Sequence, residues 1–141
     1  MSTKPSELET DTSELLFRQV HPSFLRDGRV GSQAFRPTAK DNKQLSVAQT
    51  SKTSAKAAFE LHTACNKLAS AGTWAVTVGE CLALGLPVRP DEITEPPCPD
   101  PAHAVIDFSA LSNSKIEAHG MRLARHANER GRLHPPEPPA R

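Results

Sequence analysis

The chain has no tyrosine, one tryptophan, three cysteines and a formal net charge of only +1 over 141 residues. A charge so near zero supplies no global field to recruit nucleic acid or an anionic membrane, so any anion site must be a local patch. No apolar run approaches the ~20 residues that span a bilayer. The opening stretch "MSTKPSELETDTSE" is polar and acidic, unlike the basic-then-apolar start of a secretory signal. Cys65, Cys81 and Cys98 are odd in number and lack paired spacing, which argues against a disulfide framework and predicts reduced thiols in a cytoplasmic protein. His62 and Cys65 stand at i, i+3, but no second pair has ligand spacing, so no metal is expected.

Proline, by contrast, is abundant: 13 residues imply long extended connections in a chain long enough for one core. Residues 1–14 read as a disordered leader, 15–132 as a single domain, and 133–141, "LHPPEPPAR", as a proline-rich tail unable to pack a core. "LLFRQV" is a short strand, and alternation places Arg18 on the same face as Leu16 and Val20. Pro22, Gly28, Gly31 and Pro37 then mark a long loop, with a turn near Ser23 to Arg26 and a short strand at "SQAF".

"LSVAQ" is a second strand. The spacing of Ala58, Leu61, Cys65 and Leu68 predicts a helix from an N-cap at Thr53 or Ser54 to a stop at Gly72. "TWAVTVGE" alternates as a core strand whose apolar face, Trp74, Val76 and Val78, ends in Glu80. "CLALGLPV" extends the sheet, "RPDEITEPPCPDPAH" crosses it and "AVIDF" adds a strand. A final helix presents Ile116, Gly120, Leu123, Ala124 and Ala127 on one face, with Ser114 and Glu117 as a capping box and Gly131 as the stop. The order predicts an α+β fold: a small, mostly antiparallel sheet with two helices and long Pro/Gly-rich loops.

Chemistry concentrates in "LLFRQVHPSFLRDGRVGSQAFRPTAKD". From residue 26 to 43, Arg26, Arg29, Arg36, Lys40 and Lys43 face two acids, Asp27 and Asp41, a local charge of +3. Gly28, Gly31 and Ser32 would let backbone N–H groups and a hydroxyl approach a phosphate while arginine forks supply charge. The competing reading is a solvated basic edge, with Arg18 paired to Asp107 or Glu80 for structural reasons. His21 could act as base toward Cys65 or Cys81, and Arg122, Arg125 and Arg130 could add charge for RNA, although nucleic acid is disfavoured by the net charge.

The parts "LFRQVHPSF", "GSQAFRPTAKD", "LSVAQ" and "AKAAFE", in that order, resemble RES-domain proteins and, more distantly, ADP-ribosyltransferase-like NAD-consuming folds. The resemblance implies NAD+ cleavage or ADP-ribosyl transfer by a toxin-like bacterial protein, with an antitoxin or a larger complex as partner. It implies a first-strand arginine, Arg18; a glutamate, Glu60 or Glu80; and a serine, Ser32, Ser109 or Ser112. His21, Arg36 and Lys40 would join Arg18 in holding NAD. The chain departs from that family where "AFRPT" replaces a Gly-Gly-Arg-Trp-Asn segment and where no tyrosine is present to stack nicotinamide. A non-enzymatic accessory or immunity-type module gripping a protein partner is the alternative.

Overall fold

The computed structural model describes residues 11–37 and 42–136. Its elements run β1 (Leu15–Val20), β2 (Leu25–Arg26), β3 (Arg29–Val30), β4 (Gln44–Gln49), α1 (Ala55–Glu60), β5 (Gly72–Thr77), α2 (Val78–Leu82), β6 (Val88–Pro90), β7 (His103–Asp107) and α3 (Asn113–Arg130). Five strands form one sheet in the order β5-β1-β4-β7-β6, with every neighbouring pair antiparallel; β2 and β3 make a separate hairpin. The fold is α+β, with a third short helix beyond the two expected.

Alternation sorts the sheet's side chains into two faces. Leu16, Val20, Leu45, Val47, Trp74, Val76, Val88, Ala104 and Ile106 form the larger core, into which α3 lays Ile116, Leu123, Ala124 and Ala127. Full burial of Leu123 alone stabilises the domain by about 1.5–3 kcal/mol. Gly120 lets α3 lie close to a 3-10 turn at Ser32–Phe35, because a Cβ there would stand 3.2 Å from the Ser32 carbonyl oxygen. The helix stops at Gly131 (φ 86°), whose N–H bonds the Ala127 carbonyl.

On the opposite face the core is small, Phe17, Ala48, Ala58, Ala75 and Ala102. Helix α1, capped by Ser54, packs over β1 and β5 and leaves the β4–β7 half uncovered. Regular helix ends at Glu60, far short of the predicted stop at Gly72. A π-type turn at Leu61–Cys65 follows, both Asn66 N–H groups close on the Leu61 carbonyl, and Lys67 turns left-handed (φ 60°). Leu68, expected on the buried stripe, is 54% exposed.

Several sequence expectations are corrected by local chemistry. "SQAF" is the 3-10 turn and not a strand. Asp27 and Gly28, both at positive φ, make the two-residue turn of the β2–β3 hairpin, and Asn128 of α3 fixes it through both the N–H and the carbonyl of Val30. "TWAVTVGE" leaves the sheet after Thr77, because Thr77 and Glu80 form a reciprocal capping box that starts α2. "CLALGLPV" is therefore helical at its start and reaches the sheet only at Val88. Ser112, not Ser114, caps α3.

Packed contacts extend past both ends of residues 15–132. Glu14, placed in the leader, is 8% exposed and its carboxylate accepts from the Ser51 N–H at 2.8 Å. Beyond residue 132, Leu133 N–H bonds the Thr73 carbonyl, Thr73 N–H bonds the His134 carbonyl, and the His134 ring lies 5.1 Å from that of Phe59. Residues 1–10, 38–41, including Lys40, and 137–141 lie outside the described residues.

The expectation of reduced thiols is also overturned: Cys65 and Cys98 are joined in a disulfide across 33 residues. Spacing concealed it because the π-type turn and the proline-rich crossing meet only in three dimensions, their Cα atoms 6.0 Å apart.

Candidate functional site

The incomplete cover on the α1 face leaves a groove of about 540 Å³. Its floor is sheet, with Phe17, Gln19, Ser46, Ala48 and His103. One wall is the end of the α1 segment, Leu61, His62, Asn66 and Leu68; the other is the proline-rich crossing from Ile93 to Asp100. The Cys65–Cys98 bond ties one wall to the other.

Arg18, between the floor residues Phe17 and Gln19 on β1, is also among the lining residues. Its cross-strand partner is Trp74, which confirms that it shares a face with Leu16 and Val20. The β1–β4 ladder pairs Leu16 with Gln49 and Phe17 with Ala48. Where it ends, the guanidinium takes over: Nε donates to the Ala34 carbonyl at 2.7 Å and Nη1 to the Ser46 carbonyl at 3.0 Å. Such charge-assisted bonds hold the half-buried cation in one orientation.

The electrostatics of the groove follow from this placement. Burial lowers the pKa of His62 below the ordinary imidazole value, a hydrogen bond to the Ala69 backbone opposes this, and the nearby Arg18 charge, with His21, lowers it further. His62 is thereby biased to its neutral form. His103 is held from both sides. Its Nδ1 lies 2.8 Å from the Asp91 carbonyl oxygen and 3.2 Å from Asp91 Oδ2, and its Nε2 lies 3.1 Å from Ser46 Oγ.

The remaining sequence candidates lie elsewhere. His21 caps the 3-10 turn Pro22–Phe24, accepting from Ser23 N–H. Ser32 and Arg36 pack against α3, where Arg36 is 3.7 Å from Glu117. Glu60 is exposed at the end of α1 and does not line the groove. Ser112 caps α3, and Ser109 N–H bonds Asp107. Gly28 serves the hairpin turn, so the glycine-rich stretch is spent on local structure.

Glu80 is occupied outside the groove lining. Its Oε1 accepts from Thr77 N–H at 2.8 Å, Arg130 grips both carboxylate oxygens at 3.2 and 3.0 Å, and His126 Nδ1 stands 3.2 Å away. Burial pushes its pKa up, but the hydrogen bonds from Arg130 and Thr77 and the charges of Arg130 and His126 prevail, and the carboxyl lies below its usual range. Asp107 pairs with Arg89 at 3.0 Å. Arg130 is thus committed to the fold and not displayed to a nucleic acid.

Cysteine chemistry is closed off. Cys65 is in the disulfide, and burial, aided by the Glu80 charge, pushes the Cys81 thiol up to about 12. The His62–Cys65 pair is unavailable to a metal for the same reason, and no cluster of three or more metal-capable side chains occurs among the described residues. None of the helices among those residues is long and apolar enough to cross a membrane.

Sequence reasoning found Arg18 and missed Ser46, His62 and His103 as groove residues. A local signal existed for one of them: alternation in "QLSVAQ" turns Ser46 away from the Leu45 and Val47 face. His103 meets it only through the β4–β7 register, where Ala48 faces His103 and Ser46 faces Val105. No family model, curated protein or solved structure matches the chain.

Proposed function

We propose that the protein binds an anionic ligand of nucleotide type in the Arg18 groove, with NAD+ and its ADP-ribose half the first to be tested. The observation that carries the reading is that Arg18, its guanidinium fixed by two backbone carbonyls, is among the residues lining a groove large enough for a mononucleotide or more. Arg18 supplies charge for a phosphate. Leu61, Leu68, Ile93 and the adjoining prolines offer apolar surface to a flat ring.

Cleavage of NAD+ or transfer of ADP-ribose is the narrower proposal. It needs a carboxylate to steady positive charge on the ribose as nicotinamide departs. Glu95 lines the groove with Arg18, whereas Glu60 and Glu80 do not, so Glu95 takes that role in this reading. Calorimetry with NAD+, ADP-ribose and inorganic pyrophosphate tests binding, and nicotinamide release tests turnover. Saturable binding of NAD+ or ADP-ribose that is lost in Arg18→Gln supports the proposal; folded wild-type protein that binds none of these ligands overturns it.

The alternative of a protein-binding accessory or immunity-type module draws on a different observation. Leu68 and Ile93, 54% and 36% exposed, stand on opposite walls of the groove, where a partner's apolar side chain would cover both. One stoichiometric protein retained by the wild type and lost on Leu68→Glu would favour this reading.

A further inference from the structure

We propose that Ser46 is an activated nucleophile with His103 as its general base, and that the groove floor carries out acyl transfer from a carboxylic ester. The Asp91 carbonyl can only accept, so the contact at 2.8 Å requires the proton on His103 Nδ1. In the neutral ring Nε2 then keeps its lone pair, and that atom is 3.1 Å from Ser46 Oγ. Asp91 Oδ2, 3.2 Å from the same Nδ1, favours the imidazolium that forms when the base takes a proton. A nucleophile within hydrogen-bond reach of a base, itself oriented by a third group, is the arrangement that hydroxyl activation requires.

Position supports the assignment. Ser46 is exposed, both it and His103 line the groove, and the His103 side chain is 15% exposed. Both residues stand on antiparallel strands in the sheet, which fixes their separation better than a loop would. Arg18 donates to the carbonyl of Ser46 itself. Its charge beside the nucleophile suits an ester that carries a negative group.

The step balances without a cofactor. Ser46 Oγ forms a bond to the ester carbonyl carbon and passes its proton to His103 Nε2. The carbon–oxygen bond to the alcohol then breaks, and the alcohol leaves with that proton. Water next attacks the acyl-serine with His103 as base, releasing the carboxylic acid and restoring the serine. Asp91 is a positioning residue, since it touches His103 and not the reacting atoms.

The test does not depend on nucleotide binding, because none of the probes contains a nucleotide. The wild-type protein is treated with a fluorophosphonate and, separately, with p-nitrophenyl acetate and the anionic p-nitrophenyl hemisuccinate. The expected result is one phosphonate on Ser46 by peptide mass spectrometry and faster turnover of the anionic ester. Ser46→Ala and His103→Gln should each lower the turnover by about 100-fold or more, the scale of general-base assistance. Asp91→Asn should lower kcat at an unchanged KM. Absence of phosphonate on Ser46 in folded wild-type protein, or labelling at an equal rate in His103→Gln, would overturn the assignment.

Discussion

Removing the Glu80 carboxylate should destabilise the domain by about 2–3 kcal/mol, and by less as the pH falls. Two interactions set that size. The capping box on α2, through Thr77 N–H at 2.8 Å, is of a kind worth about 1 kcal/mol. The two-pronged Arg130 contact, between side chains 28% and 18% exposed, adds about 1–2 kcal/mol after allowance for solvent screening. Glu80→Gln keeps an acceptor for Thr77 and loses the charge, so its cost should be about half that of Glu80→Ala. Urea unfolding monitored by circular dichroism gives these values, and Glu80→Ala combined with Arg130→Ala should show coupling of about 1 kcal/mol.

The pH arm has a definite sign. The folded carboxyl titrates below the ordinary 4.5, so its contribution is fully present above that value and disappears as pH falls through the folded pKa. Wild type and Glu80→Gln should therefore converge in stability under acid. Full additivity of the double substitution, or a gap that widens below pH 4.5, would refute the structural role assigned to Glu80.

Three further outcomes follow from the packing and the disulfide. Gly120→Ala should destabilise the domain by about 1–2 kcal/mol in thermal melts even though alanine is the better helix former, because the new Cβ would meet Arg36 Cγ at 2.6 Å and the Ser32 carbonyl oxygen at 3.2 Å. Reduction, or Cys65→Ser with Cys98→Ser, should cost about 3–4 kcal/mol on the chain-entropy scale for a closed loop of this length, seen as a lower urea midpoint. Thiol titration of the oxidised protein should find one slow-reacting thiol, Cys81, released only on unfolding.

Local periodicity carried much of the fold into the sequence. The α3 stripe, Ile116, Gly120, Leu123, Ala124 and Ala127, is the buried set of that helix, and Gly131 ends it. Both properties depend only on neighbours within a few turns. The first helix misled because Leu68 continues the spacing of Ala58 and Leu61, whereas the π-type turn and the disulfide redirect the chain before it. Thr77-x-x-Glu80 did hold a legible capping signature, but alternation in "TWAVTV" masked it. Arg18 was legible as an arginine on a core face. Ser46, His103 and Asp91 were not, since a strand register and the crossing from Asp91 to Asp100 must both form before they meet.

The outer flank of β5 has a bearing on how this molecule meets others. Thr73 offers its N–H and carbonyl there, and residues 133 and 134 take both; Arg130 takes the Ala75 carbonyl, and Glu80 takes the Thr77 N–H. An ion pair and a few residues of chain thus stand in for a sixth strand. At the far flank β6 is three residues long and ends in Pro90, which has no N–H to donate. Neither margin invites edge-to-edge polymerisation or the addition of a foreign strand. Recognition of this molecule would then fall to side chains, and the sheet exposes chemically varied ones on the floor that Ser46 and His103 share.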